Sequence, residues 1–500
     1  MRTSPRAGRA PGAMRSGDDM TTTHTTGNAN LDRVLGGGLA AGSAMVIAGA
    51  PGTGKTVLAQ QIAFASATQQ APAVYVTSLS ESQVKLVRHL EGFTFFDKAA
   101  LDNRVRYQDV SEFLDKAPDD GDAIGSIVDQ ITRMALQERP AVLVIDSAKA
   151  LRDYGDAASF RTYMHRLVSR LSFSDTVLIL VGEYVGDDLT KGAEFAVADA
   201  IIELSLEHSG WQDQRSLRVH KMRGRRYLAG RHAYEITESG ACVYPRIESV
   251  VDRGTDQTSG RVSVGVPGID QLAGGGLPRG DVTLVTGPSG AGKTVMSLQF
   301  VREGLRQGER CVYVALEETA SAIRDKARAF GWSEIEEGLA SGQLVIREEP
   351  IVELVTDRLA NQISQDLVAK PDRFVFDSMG ELATLAKQQQ RYPGLIWSLA
   401  QQARSSGASV LFTLETTAMG SQHSVDALSH LFQNVIVMRY MADHSEIRRA
   451  LLVLKMRDSA HAKGMIRFDV TESGMVADTE ELTSVEGLLG WGALSGHRQQ

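Results

Sequence analysis

The chain is written twice. "GNANLDRVLGGGLAAGSAMVIAGAPGTGKTVLAQQ" begins at Gly27 and "GVPGIDQLAGGGLPRGDVTLVTGPSGAGKTVMSLQ" at Gly265, an offset of 238 (265 − 27). The offset holds without a gap for Asp32 and Asp270, Gly36 and Gly274, Gly42 and Gly280, Lys55 and Lys293, and Tyr75 and Tyr313. Later landmarks drift by a few residues, as loop insertions produce. Lys221-Met222-Arg223 answers Lys455-Met456-Arg457 at an offset of 234. A repeat this long implies two homologous domains, not one large fold. Their expected bounds are 21–248 and 261–478, joined by the polar linker "SVVDRGTDQTSG" at 249–260. Residues 1–20 are Arg-rich with no apolar stretch and read as a disordered leader, with Met14 and Met20 as alternative starts. Residues 479–500 read as a C-terminal tail.

Each copy alternates strand-like apolar runs with helical segments. "AMVIAGA", "AVYVTSL", "AVLVIDS" and "TVLILVGE" are near-continuous apolar runs of strand length. Such runs suit a parallel sheet covered on both faces. The fold class is therefore α/β, with one open sheet per half.

Composition sets outer limits. With 43% hydrophobic and 23% charged residues, the chain has the make-up of a globular protein. The formal charge of −8 argues against a protein that coats nucleic acid, which needs a surplus of Lys and Arg. The two cysteines, Cys242 and Cys311, suggest no disulfide framework, and a cytoplasmic location is the simplest reading. No apolar run approaches membrane-spanning length.

Both copies carry a phosphate-binding loop. Gly49-Ala50-Pro51-Gly52-Thr53-Gly54-Lys55-Thr56 and Gly287-Pro288-Ser289-Gly290-Ala291-Gly292-Lys293-Thr294 each fit G-x-x-x-x-G-K-[ST] between a strand and a helix. The glycines let backbone N–H groups curl around phosphates, and the helix N-terminus adds a favourable dipole. Lys55 and Lys293 would reach the outer phosphates, and Thr56 and Thr294 would ligate Mg²⁺. One such match is a moderately specific signal; two at equivalent places in a repeat are much stronger. Asp146 in "VLVIDS" and Asp377 in "FVFDS" end apolar strands, where a carboxylate would meet the same Mg²⁺, through water. ATP and Mg²⁺ are the implied cofactors.

Hydrolysis also needs a group that orients or deprotonates water. Glu317 and Glu318 in "VYVALEE" are expected at the end of the strand that follows the loop helix. At the offset of 238 they align with Leu79 and Ser80. Leu cannot take a proton, and neutral Ser is a poor base. Glu81 is one residue late, which in an extended strand turns its side chain to the opposite face. The first half is thus expected to bind ATP and to hydrolyse it slowly or not at all.

These residues together resemble the KaiC family, the circadian-clock ATPases of the RecA superfamily. The likeness runs from Thr26 to about Asp478 and includes "GGGL", both phosphate loops, "EET", the strand-end aspartates, "KMR" and "HSVDALSHLFQNVIVMRY". It implies two tandem RecA-like P-loop NTPase domains and a homohexameric ring with ATP between neighbouring subunits. In such a ring Lys455 and Arg457, and Lys221 and Arg223 in the first half, would act on the neighbour's γ-phosphate. The family's second domain also phosphorylates itself on adjacent Ser and Thr. Here Ser429 stands at the Ser position and His430 at the Thr position, so one acceptor remains at most. Two other readings stay open. One is a RecA-type DNA motor, suggested by "KMRGRRYLAGR" but opposed by the net charge and by the lack of aromatic platforms other than Tyr227. The other is a nucleotide-gated scaffold without turnover, which suits the first half better than the second.

Overall fold

The computed structural model describes residues 22–78, 83–114, 122–186, 192–209, 212–250, 259–349, 354–380, 382, 391–416, 429–443, 446–457 and 459–482. Leu79, Ser80 and Glu81, the leader, most of the linker and the end of the tail lie outside the described residues. Two compact units divide between Val243 and Tyr244.

The first unit is built on nine strands: β1 (Ala44–Gly49), β2 (Ala73–Thr77), β3 (Val105–Asp109), β4 (Val142–Asp146), β5 (Val177–Glu183), β6 (Ala200–Ser209), β7 (Gln212–Met222), β8 (Arg231–Thr237) and β9 (Gly240–Tyr244). The second repeats them: β10 (Val282–Gly287), β11 (Cys311–Ala315), β12 (Leu344–Glu348), β13 (Arg373–Asp377), β14 (Ser409–Glu415), β15 (Asn434–Asp443), β16 (Glu446–Met456), β17 (Met465–Thr471) and β18 (Gly474–Ala477). The lateral order is β3-β2-β4-β5-β1-β6-β7-β8-β9 in one sheet and β12-β11-β13-β14-β10-β15-β16-β17-β18 in the other. The two orders are identical, so the duplication seen in sequence is a duplication of topology.

Six strands of each sheet, from β3 to β6 and from β12 to β15, run parallel; β7 returns antiparallel beside β6, and β16 beside β15. Burial on both faces explains the continuous apolar runs. In β1, Met45 and Ile47 join one core cluster while Ala44, Val46 and Ala48 join the other. Side chains of successive strand residues point to opposite faces, so one strand feeds two cores. Helix α1 (Lys55–Ser66) follows β1 and packs its Leu58, Ile62 and Ala63 into the first of those cores. Its counterpart α2 (Lys293–Arg306) follows β10 and packs Met296, Phe300 and Val301 likewise. No helix among the described residues is long and apolar enough to cross a membrane.

Candidate nucleotide site

Both phosphate loops sit at the C-terminal edge of their sheet, at the end of the central strand. Gly54 and Gly292 cap α1 and α2 with φ of 85° and 101°. Those left-handed values favour glycine. A Cβ on Gly54 would also lie 2.3 Å from Ile236 Cδ1, so the cap leaves no room for a side chain. The result is a helix start whose first N–H groups have no partner inside the helix and face the loop.

The lysines lie beneath the loops and are buried to the same extent, each 8% exposed. Lys55 Nζ donates to Ala50 O at 2.8 Å, and Lys293 Nζ donates to Gly287 O and Pro288 O, each at 3.0 Å. Burial pulls the Lys55 ammonium below its ordinary pKa, opposed by the charges of Glu183 and Asp146. Burial does the same to Lys293, opposed by Glu415, Asp377 and Glu317. Glu415 Oε2 lies 3.8 Å from Lys293 Nζ. Glu183 and Glu415 stand opposite Gly49 and Gly287 in the sheet, so each loop has an acid at the neighbouring strand end. These two acids have no motif of their own; only the strand pairing brings them to the loops.

The strand-end aspartates meet the loop threonines. Thr56 Oγ1 donates to Asp146 Oδ2 at 2.8 Å, and Thr294 Oγ1 donates to Asp377 Oδ2 at 2.8 Å. A hydroxyl and a carboxylate at this spacing, beside a lysine, form a donor set suited to a hard cation such as Mg²⁺. Two tyrosines join them: Tyr75 O–H donates to Asp146 at 2.6 Å and Tyr313 O–H to Asp377 at 2.7 Å. Their matching positions were visible in the repeat, but their partners were not.

Glu317 and Glu318 lie just past the sheet. Strand β11 ends at Ala315, and the two glutamates occupy a bend before the helix Ala320–Ala329. The expectation that they end the strand is therefore corrected, and alternation along a strand does not govern their direction. Ser378, next to Asp377, donates its hydroxyl to Glu317 Oε1 at 2.5 Å. Glu318 is instead ion-paired with Lys326. Of the pair, Glu317 is the one tied to the aspartate strand and felt by Lys293.

The basic segments lie elsewhere. Lys221 pairs with Ile201, and Ile201 with Val46, three residues before Gly49. Lys455 pairs with Val435, and Val435 with Leu284, three residues before Gly287. Three strand residues span roughly 10 Å, so both segments sit at the opposite end of the central strand from their own loop. Lys455 Nζ donates to Ser429 O at 2.9 Å and to Phe432 O at 3.0 Å, and Arg457 donates to His430 O at 3.0 Å. Burial and the neighbouring Arg457 charge lower the Lys455 pKa; burial and Arg223 do the same to Lys221, opposed by Asp199. Ser429 is half-buried at the same end of the sheet.

Further contacts steady the loops without any signal in the motif. Arg215 donates to Gly52 O at 3.0 Å, Tyr234 O–H to Thr53 O, and Tyr440 O–H to Ser289 O at 3.1 Å. All three come from the antiparallel ribbons, so each ribbon is packed on its own loop.

A parallel sheet with a phosphate loop at its central strand, a loop lysine, and a threonine–aspartate pair defines a P-loop NTPase domain of the RecA-like class, here present twice. The family model described as "ATPase: KaiC" matches residues 24–248 and again 262–481. The chain belongs to the KaiC family of ATPases. It is similar to the "Circadian clock oscillator protein KaiC" of Rippkaea orientalis, 28% identical over 460 residues, covering 89% of this chain and 86% of that protein. The protein of the same description from Parathermosynechococcus lividus is 27% identical over 467 residues, 90% of this chain and 84% of its own length. "Circadian clock protein KaiC3" of Synechocystis is 28% identical over 473 residues, 90% of each chain.

Proposed function

We propose that this protein is a Mg²⁺-dependent ATPase that turns over chiefly in its second half and holds nucleotide in its first. The observation that carries the reading is the constellation of Lys293, Thr294, Asp377 and Glu317 at one strand edge. Gly287, Ser289, Gly290, Ala291 and Gly292 would cradle the phosphates with backbone N–H groups, as Gly49, Gly52, Thr53 and Gly54 would in the first half. Thr56 and Thr294 would hold Mg²⁺ directly, with Asp146 and Asp377 behind a bound water; the cation would neutralise charge on the transferring phosphoryl group. Glu317, assisted by Glu318, would orient and deprotonate the attacking water. The hydroxyl that Ser378, beside Asp377, donates to Glu317 supports that role.

Lys221, Arg223, Lys455 and Arg457 are too far from their own loops to serve them. Their position supports action on a neighbouring subunit's ATP, which requires a ring, and we read that ring as a homohexamer. A cation supplied in trans stabilises charge in the transition state and makes turnover depend on assembly. Ser429, at the same end, would face the same neighbouring nucleotide and is the candidate acceptor for self-phosphorylation. The relatives are described as clock proteins, and a regulatory or clock-like signalling role is proposed on that basis. DNA handling is the weaker alternative. Arg225 donates to Gly38 O at 2.9 Å and Arg231 is paired with Glu207, so these two arginines are engaged within the unit. Phosphate release from the full chain, with and without Mg²⁺, tests the main reading. No release above the buffer rate would overturn it, and salt-sensitive retention on a DNA column would favour the alternative.

A further inference from the structure

We infer that Tyr75 and Tyr313 are positioning residues that set the divalent-cation affinity of the two cradles, with Thr413 adding a second hold in the second half alone. The inference rests on the nucleotide-site reading above and adds residues that no phosphate-loop motif contains.

Tyr75 lies two residues before the end of β2, and that end pairs with Asp146; Tyr313 stands the same way relative to Asp377. Both rings are buried, at 1% exposure. A phenylalanine would fill the same space, so packing does not explain the hydroxyl. A buried O–H needs an acceptor, and in both halves it takes the same carboxylate oxygen that accepts from the loop threonine. Two donors then occupy Oδ2 and fix the carboxylate's rotation, leaving Oδ1 turned away from them. An outer hydrogen bond to a direct ligand typically governs metal affinity by about 10- to 100-fold, and a bond to a carboxylate that acts through a bound water falls at the lower end of that range.

The halves differ at Oδ1. Thr413 on β14 donates its hydroxyl to Asp377 Oδ1. Glu183 and Glu415 close β5 and β14 in equivalent places, so Val181 stands where Thr413 does. Valine has the same shape and no hydroxyl. The second carboxylate is therefore fixed at both oxygens and the first at one, by the side-chain donors found among the described residues.

The test measures Mn²⁺ binding by electron paramagnetic resonance on the full chain loaded with a non-hydrolysable ATP analogue. The other cradle is silenced by Lys55→Ala or Lys293→Ala. Tyr313→Phe should weaken Mn²⁺ binding to the second cradle about tenfold. Analogue affinity in EDTA should stay unchanged, a split that general loosening of the fold does not produce. Thr413→Val should weaken Mn²⁺ binding in the same direction, and Val181→Thr should tighten it in the first cradle. Equal Mn²⁺ affinity in folded Tyr313→Phe and its parent would overturn the inference while leaving the ATPase reading intact. If Tyr313→Phe does not fold, Tyr75→Phe decides the matter in the first cradle by the same criterion. A parent protein whose analogue binding ignores the cation would overturn both readings together.

Discussion

Lys455 donates its ammonium to the carbonyl of Ser429 at 2.9 Å, far along the sheet from the loop that holds Lys293. The pair joins the basic segment to the candidate phosphoacceptor, and both lie away from their own phosphate loop. Lys455→Ala should lower phosphate release about a hundredfold, the usual cost of losing a transition-state donor. Mixing Lys455→Ala subunits with Lys293→Ala subunits should recover part of the activity, because each supplies what the other lacks. Recovery absent from mixed rings of confirmed mass would mean the lysine does not act across subunits.

Glu317 and Glu318 are adjacent but differently held, by Ser378 and by Lys326. Glu317→Gln should therefore slow steady-state hydrolysis more than Glu318→Gln, and the double variant should lose about a hundredfold or more. Binding of a fluorescent ATP analogue should be unchanged in all three. A larger loss from Glu318→Gln would reverse the assignment.

In the first half the holding role predicts a different outcome. Lys55→Ala should weaken ring assembly, read as mass by analytical ultracentrifugation, more than it weakens hydrolysis. Loss of most phosphate release with assembly intact would make the first cradle an active site.

Self-phosphorylation is checked by intact mass after incubation with Mg·ATP. One added phosphate per chain, mapped to Ser429 and absent from Ser429→Ala, is expected.

The second unit also contains a partly buried ion cluster. Arg391 lies 2.8 Å from Glu248 and 2.7 Å from Asp357. Burial alone would raise the Glu248 carboxyl, but the hydrogen bond and charge of Arg391 outweigh it and hold the group below the usual glutamate value of 4.5. A depressed carboxylate contributes stability above its unfolded pKa and loses it as pH falls through the folded one. The contribution should therefore be complete above about pH 4.5 and fade progressively as the pH falls from there through the lower folded value. Arg391→Met removes the guanidinium shared by buried Asp357 and half-buried Glu248, the latter keeping Arg246 at 3.1 Å, and should cost about 2 kcal/mol at neutral pH in denaturant unfolding of the full chain. The cost should shrink in acid.

Much of this architecture was legible because it is local. A glycine-rich loop between a strand and a helix needs only consecutive residues, so Lys55, Thr56, Lys293 and Thr294 could be read directly, and the repeat doubled the signal. Continuous apolar runs reported buried parallel strands for the same reason. The aspartates were legible as the polar ends of such runs. Glu317 and Glu318 were legible as residues but not as a pair of unequal members, since Ser378 lies 61 positions away from Glu317.

What the linear chain determined, then, is the duplication, the α/β class and the two phosphate loops, each written in short-range pattern. Lateral strand order decided the rest. Because β2 lies beside β4, and β11 beside β13, a tyrosine separated from its aspartate by 71 or 64 residues becomes its hydrogen-bond partner. Because β14 flanks β13, Thr413 reaches Asp377, whereas Val181, in the equivalent place of the first half, has no hydroxyl to offer Asp146. Strand direction likewise sends the basic segments to the far edge of each sheet. A hydrogen bond is selected by distance in space, and neighbours across a sheet leave no mark on the sequence between them.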